Sequence, residues 1–275
     1  MGKAVKKIHT FLVFALTVCL VALRTVQLCL YTESSLGYIV KGAEGTIALF
    51  YSVFLLLFAV ILICYLRRDK NSVSNPFEKN SAFLRTAAML AGASAFCDFI
   101  FRIIISYNYV TGVSAPQLNY FIPLCISAAA SLFCAFYFIA LSIVFYNSKY
   151  NFSDFRYLHI IPLLWAVCVL VTCLTENVVA VYSEERLLHY AVLISAIVFY
   201  VLLISCADRN DGFKQLGTFG MVYGTNALVM AVPRFIAFIN GMRFDYSDFS
   251  TVVYLFTGIF ALVLSACIFG QKKKD

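Results

Sequence analysis

A helix needs about 20 mostly apolar residues to cross the hydrocarbon of a bilayer, and this chain is made largely of such stretches. Residues 11–30 form one run, broken only by Arg24, and residues 46–66 form a second with no charge at all. Further runs occupy residues 82–107, 117–146, 157–174, 187–207, 216–240 and 249–270. The third has Arg85 at its start and contains Asp98 and Arg102, and the seventh is the least lipid-like. Pro162 lies near the start of the fifth, where proline is better tolerated than in mid-helix. The joins at 67–81, 108–116, 147–156, 175–186, 208–214 and 241–248 are short and mostly polar, with turn signals at Asn75-Pro76, Gly112 and Pro116. None is long enough to fold as a separate domain. The expectation is an all-α, polytopic membrane helix bundle: eight transmembrane helices in one integral membrane domain over residues 1–275.

Composition agrees with that reading and excludes others. The chain is 62% hydrophobic and 13% charged, against about 45–50% and about 25% in ordinary soluble domains. One water-soluble core cannot hide that much apolar surface, which argues against a soluble enzyme or a disordered chain. The net charge of +7 does not point to nucleic acid, because the basic residues sit between apolar runs. With the N-terminus inside, 15 of the 21 Lys and Arg fall on inner segments. Three fall outside (Lys41, Arg186 and Arg243), and three (Arg24, Arg102 and Arg234) lie within spans. Positive loops stay on the cytoplasmic side, so both termini are expected there, in the plasma (cytoplasmic) membrane. The basic, then apolar, N-terminal segment reads as a retained first helix, since no small-residue cleavage site follows it.

Familiar chemistry is sparse. There is no C-x-x-C, H-E-x-x-H, G-x-S-x-G or phosphate-binding loop. The three histidines, His9, His159 and His189, are too scattered for an obvious metal or haem cage. His189 lies one helical turn after Glu185, a spacing that suits a local ion pair. All ten cysteines fall in or beside spans, where cysteine behaves as a small hydrophobe. Spans seven and eight contain no lysine that could form a retinal Schiff base. No cofactor, metal or catalytic set is expected. The tyrosines at outer span ends, such as Tyr107 and Tyr190, fit an interfacial aromatic belt.

Ionisable residues in hydrocarbon are expensive and usually face the bundle interior. Arg24, Asp98, Arg102 and Arg234 are the four here. At about 1.5 Å per residue, Arg24 and Asp98 fall roughly 5 Å, and Arg102 and Arg234 roughly 10 Å, to the outer side of the midplane. Ala88, Ala91, Ala95, Asp98 and Arg102 line one face of the third span. Gly217, Gly220, Gly224, Ala227, Ala231 and Arg234 line one face of the seventh. Small residues on one stripe let helices approach closely in a membrane, so each stripe predicts a packing seam ending in charge. Thr17, Arg24, Gln27 and Tyr31 form a weaker polar stripe on the first span. Asn226 and Pro233 mark the seventh as a helix that can be interrupted near a binding site. Asn108 and Asn240, each six residues after an arginine, hint at a parallel repeat of four spans.

Two readings follow. Three arginines and one aspartate in one layer suit a small anion or a lipid headgroup, because the planar guanidinium fork matches carboxylate and phosphate. The chain would then bind or transport that ligand through an outward-side polar pocket built from Arg24, Asp98, Arg102, Asn226 and Arg234. Alternatively, Asp98 and Arg102 pair with each other, Arg24 and Arg234 snorkel to the interface, and the protein is a sensor or complex subunit. It would then act through a membrane protein partner docked at residues 67–79. An intramembrane enzyme is the least supported class, since Asp98 is the one plausible acid or base.

Overall fold

The computed structural model describes residues 2–31, 81–112, 118–146, 155–175, 184–209, 211–240 and 250–270. The second predicted span, 46–66, and the segment 67–79 lie outside the described residues. Within them there are seven helices and no strand: α1 (Gly2–Tyr31), α2 (Ala82–Gly112), α3 (Leu118–Tyr146), α4 (Ile160–Thr175), α5 (Glu184–Arg209), α6 (Phe213–Ile239) and α7 (Ser250–Gly270). All but α4 are long and apolar enough to cross a membrane. α4 has 16 residues, about 24 Å of helix against a hydrocarbon core of about 30 Å. Its predicted first turn is taken up by a tight turn through Phe155–His159, in which Leu158 N–H donates to Phe155 O at 2.9 Å.

Local signals set the helix limits. Ser81 caps α2, its hydroxyl accepting from Leu84 N–H at 3.4 Å. Gly212 takes a left-handed φ of 77° just before α6, a conformation that costs glycine little. α2 runs on to Gly112, so much of the join expected at 108–116 is helical; the chain meets no helix breaker before Pro116. α6 is continuous through Pro233 to Ile239, which corrects the expectation of an interrupted helix. Proline removes one backbone bond, but Pro233 is buried and the helix carries on for six residues beyond it.

Six helices close a ring in which α2 packs on α3, α3 on α4, α4 on α5, α5 on α6, α6 on α7, and α7 back on α2. Long aromatic side chains fill the middle. Phe138 of α3 meets Phe260 of α7 at 5.3 Å between ring centroids, Trp165 of α4 meets Tyr254 of α7 at 6.0 Å, and Phe199 of α5 stacks on Tyr223 of α6 at 5.7 Å. All six are less than 2% exposed. α1 lies outside this ring, against α6 and, less extensively, α7. A parallel four-span repeat would pair α6 with α3 as it pairs α2 with α7. Those two helices form no extended contact among the described residues, so the hinted repeat does not extend to the packing.

The small-residue stripes are seams. Ala88, Ala91 and Ala95 are wholly buried, and a Cβ on Gly92 would come within 3.1 Å of Ala135 O on α3. On α6, a Cβ on Gly224 would lie 2.8 Å from Gly258 O of α7, and one on Gly258 would meet Ala227. Backbone stands where side chains would otherwise be, which is close packing without a hydrophobic driving force.

Candidate functional site

Asp98 and Arg102 sit one turn apart on α2, and Arg102 Nε donates to Asp98 Oδ2 at 2.7 Å. α3 supplies more partners. Arg102 Nη1 donates to Ser127 Oγ at 2.9 Å, and Ser131 Oγ donates to Asp98 Oδ2 at 2.6 Å. The two serines are four residues apart, so both hydroxyls leave the same side of α3. From α4, Trp165 Nε1 donates to Ser131 Oγ at 3.1 Å. All five side chains are buried. A buried ion pair is tolerable only when its other donors and acceptors are satisfied, and the hydroxyls of α3 contribute to that.

Arg234, near the C-terminal end of α6, donates from Nη1 to Thr251 Oγ1 at 3.2 Å. Thr251 stands in the first turn of α7. Tyr254, one turn further on, packs against Trp165 and shares a 2.7 Å hydrogen bond with His189 Nε2 of α5. One stretch of α7 thus touches both arginine clusters, through Thr251 to Arg234 and through Tyr254 and Trp165 to the Asp98–Arg102 shell.

Arg24 donates from Nη1 to Gln27 Oε1 at 2.5 Å, within α1 itself. α1 rises parallel to α6, since Thr17 Oγ1 lies 3.0 Å from Thr225 Oγ1 and Val13 packs on Met221. Carried two turns further, that register sets Arg24 level with Val232, beside the turn that bears Arg234. Arg24, Arg102 and Arg234 are only 7%, 6% and 9% exposed. A snorkelling arginine presents its head to solvent; these three guanidinium groups face protein instead.

The predicted residues are not equally assembled. Asp98 and Arg102 are joined, Arg24 and Arg234 share a level at the α1–α6 contact, and α1 makes no extended contact with α2 among the described residues. Asn226 stands apart. Its Nδ2 donates to Ser195 Oγ of α5 at 3.3 Å, about 12 Å down the axis from Arg234, where it ties α5 to α6.

Sequence reading missed Ser127, Ser131, Trp165, Thr251 and Tyr254. The serines could have been found as a polar i, i+4 pair in an otherwise apolar span, and Trp165 as the single tryptophan of the chain. Thr251 and Tyr254 carried no signal, because a hydroxyl near a span end looks like interface. Spacing pairs His189 with Glu185, whose side chain lies outside the described residues; the bond from His189 to Tyr254 crosses to α7. Among the described residues no three His, Cys, Asp or Glu side chains gather as a metal cage, and the nine cysteines there are thiols without disulfides.

Comparison with known protein families, curated proteins and solved structures finds no match. The class of the protein therefore rests on its helical architecture and on the length and apolarity of its helices: it is a multi-pass integral membrane protein.

Proposed function

We propose that this protein is an eight-span receptor in the plasma membrane, with both termini cytoplasmic, that binds a small anion or a lipid headgroup from the outer side. α4, extended by the turn at Phe155–His159, serves as the fifth span, and residues 46–66 as the second. The observation that carries the ligand reading is the burial of Arg24 and Arg234 at one level of the α1–α6 contact. Two guanidinium forks held off lipid suit the bidentate recognition of carboxylate or phosphate. Arg102, on the other side of α7, has its orientation set by Asp98 and is not a main contact. Asn226 fixes α5 against α6 below the site.

The aromatic packing of the ring interior supports binding over transport, since a permeant anion would have to part Phe138, Trp165, Tyr223 and Phe260. A receptor of this kind reports through a membrane protein partner, and the basic segment 67–79 is the surface we assign to that contact.

The test is ligand-dependent thermal stabilisation of the purified protein, using inorganic phosphate, sulfate, citrate and a short-chain phosphatidic acid as probes. At least one probe should raise the melting temperature of the wild type and leave Arg234→Ala unmoved. Preference for phosphatidic acid identifies a lipid headgroup, and preference for a free ion identifies a soluble anion. Equal stabilisation of wild type and mutant, or none of either, overturns the assignment. Reporter fusions at the two termini test the topology; an outer-side signal from either terminus overturns it.

A further inference from the structure

Tyr200 lies deep in the ring on α5, and its side chain is 0% exposed. Among the described residues its hydroxyl is the one buried side-chain oxygen or nitrogen without a hydrogen-bond partner. Such groups are uncommon in native proteins, because a hydroxyl taken out of water and left unbonded keeps the full cost of its desolvation. Its polar neighbours are Tyr223 of α6 and Cys134 and Tyr137 of α3. Tyr137 is bonded to His159 Nδ1 at 2.8 Å. Tyr223 and Cys134 are, like Tyr200, 0% exposed. The Tyr200 and Tyr223 rings stand at 60° with centroids 6.0 Å apart, and their hydroxyls are close without the geometry of a direct hydrogen bond.

The protons of the neighbouring hydroxyls are already placed. Thr257 Oγ1 donates to Val253 O at 2.6 Å within α7. Threonine has one hydroxyl proton, so in the 2.6 Å bond between Tyr223 Oη and Thr257 Oγ1 the tyrosine is the donor. Tyr223 Oη is left with lone pairs to offer and no proton. Tyr200 carries a proton with nowhere to go, and the Cys134 sulfur is a weak acceptor.

We propose that one water molecule is bound at this point inside the ring, accepting the Tyr200 O–H and donating to Tyr223 Oη and Cys134 Sγ. Both of its protons and one of its lone pairs then have partners, about the three bonds that a buried water makes. The aromatic wall limits the size of the guest. Phe199 packs at 5.2 Å on Tyr200 and at 5.7 Å on Tyr223, so anything larger than water would have to part these rings. The three partners are neutral phenols and a thiol, and an ion among them would be uncompensated at a high cost. The water joins α3, α5 and α6 and, through Tyr223 and Thr257, α7. It ties four helices of the ring at one point, apart from the arginines.

The experiment is radiolytic footprinting of the full chain in detergent, in which X-ray-generated hydroxyl radicals oxidise side chains that touch water, read by mass spectrometry of the peptides. Tyr200 and Tyr223 should be oxidised at least tenfold faster than Phe138 and Phe260, which are equally buried. In water labelled with a heavy oxygen isotope, label should enter at Tyr200 and Tyr223 more slowly than at the exposed Tyr157, because a bound water exchanges slowly with bulk. Tyr200→Phe takes away one partner of the water. It should bring Tyr223 oxidation down to the level of Phe138 and lower the melting temperature, whereas removal of a hydroxyl that bonds nothing would raise it. The wild-type measurements stand by themselves if that variant does not fold. Oxidation of both tyrosines no faster than that of Phe138, label entry as fast as at Tyr157, Tyr223 oxidation unmoved by Tyr200→Phe, or a rise in the melting temperature of that variant overturns the proposal.

Discussion

The hairpins α2–α3 and α6–α7 follow one plan and end differently. Each begins with a seam of small residues, Ala88, Ala91 and Ala95 in one, Gly220 and Gly224 in the other, and each places an arginine of its first helix against a hydroxyl of its second. In α2–α3 the arginine also has a carboxylate one turn away, and a second serine and a tryptophan surround the pair. In α6–α7, Arg234 bonds a threonine. In our reading the same residue type in the same layer is tied into structure in one hairpin and offered to a ligand in the other. What distinguishes them is the acid at i−4: Asp98 stands four residues before Arg102, and Met230 stands four residues before Arg234.

Removing that acid is the strongest way to break the contrast. Asp98→Ala strands a buried guanidinium and should cost about 3–5 kcal/mol, read as a large fall in melting temperature. Asp98→Ala with Arg102→Met should recover most of the loss, because both charges then leave together. A double mutant as unstable as the single would show that the serines, not the ion pair, govern the shell. The seam of the other hairpin comes next. Gly224→Ala drives a Cβ into the carbonyl of Gly258 and should destabilise by about 1–3 kcal/mol. Gly112→Ala, where an added Cβ meets nothing within 4 Å, should be neutral or stabilising by up to about 1 kcal/mol. If the two glycine variants behave alike, the seam is not a close contact.

Ser131→Ala removes a donor to Asp98 and the acceptor of Trp165 at once. It should cost about 1–3 kcal/mol by leaving buried groups unsatisfied, and it should shift tryptophan fluorescence, which reports a single residue in this chain. Arg234→Ala is expected to cost less stability than Asp98→Ala, because Met230 and not an acid stands four residues before it, so no carboxylate on its own helix is stranded. Its effect should appear as lost anion-dependent stabilisation. A stability loss as large as that of Asp98→Ala would mean that Arg234 too is structural, and the two hairpins would no longer differ.

Much of the framework was legible in the apolar runs. The end of the helix over Ala82–Gly112 was not, since the join expected at 108–116 is helical as far as Gly112, but the stripes at 3-4-3 spacing marked the seams because membrane helices pack most closely where side chains are smallest. The pairing of Asp98 with Arg102 was legible as an i, i+4 relation. The partners across helices were not. Ser127, Ser131, Trp165 and Thr251 matter through which helix they face, and a one-dimensional pattern gives the face of each helix without its neighbour. Pro233 misled for the same reason: its cost within α6 can be read locally, whereas the burial that offsets it cannot.

By itself the sequence determined that this chain lives in a bilayer and that Arg24, Asp98, Arg102 and Arg234 must avoid hydrocarbon, because the cost of an exposed charge there depends only on the residue and its depth. Only the tertiary structure decided which partners on other helices those charges met. It set α7 against α2 so that the two hairpins meet, brought Arg24 level with the turn that bears Arg234, and put Cys173 beside His189. Those outcomes depend on the order of helices around the ring, and that order is settled by how side chains of different size fill the space between helices.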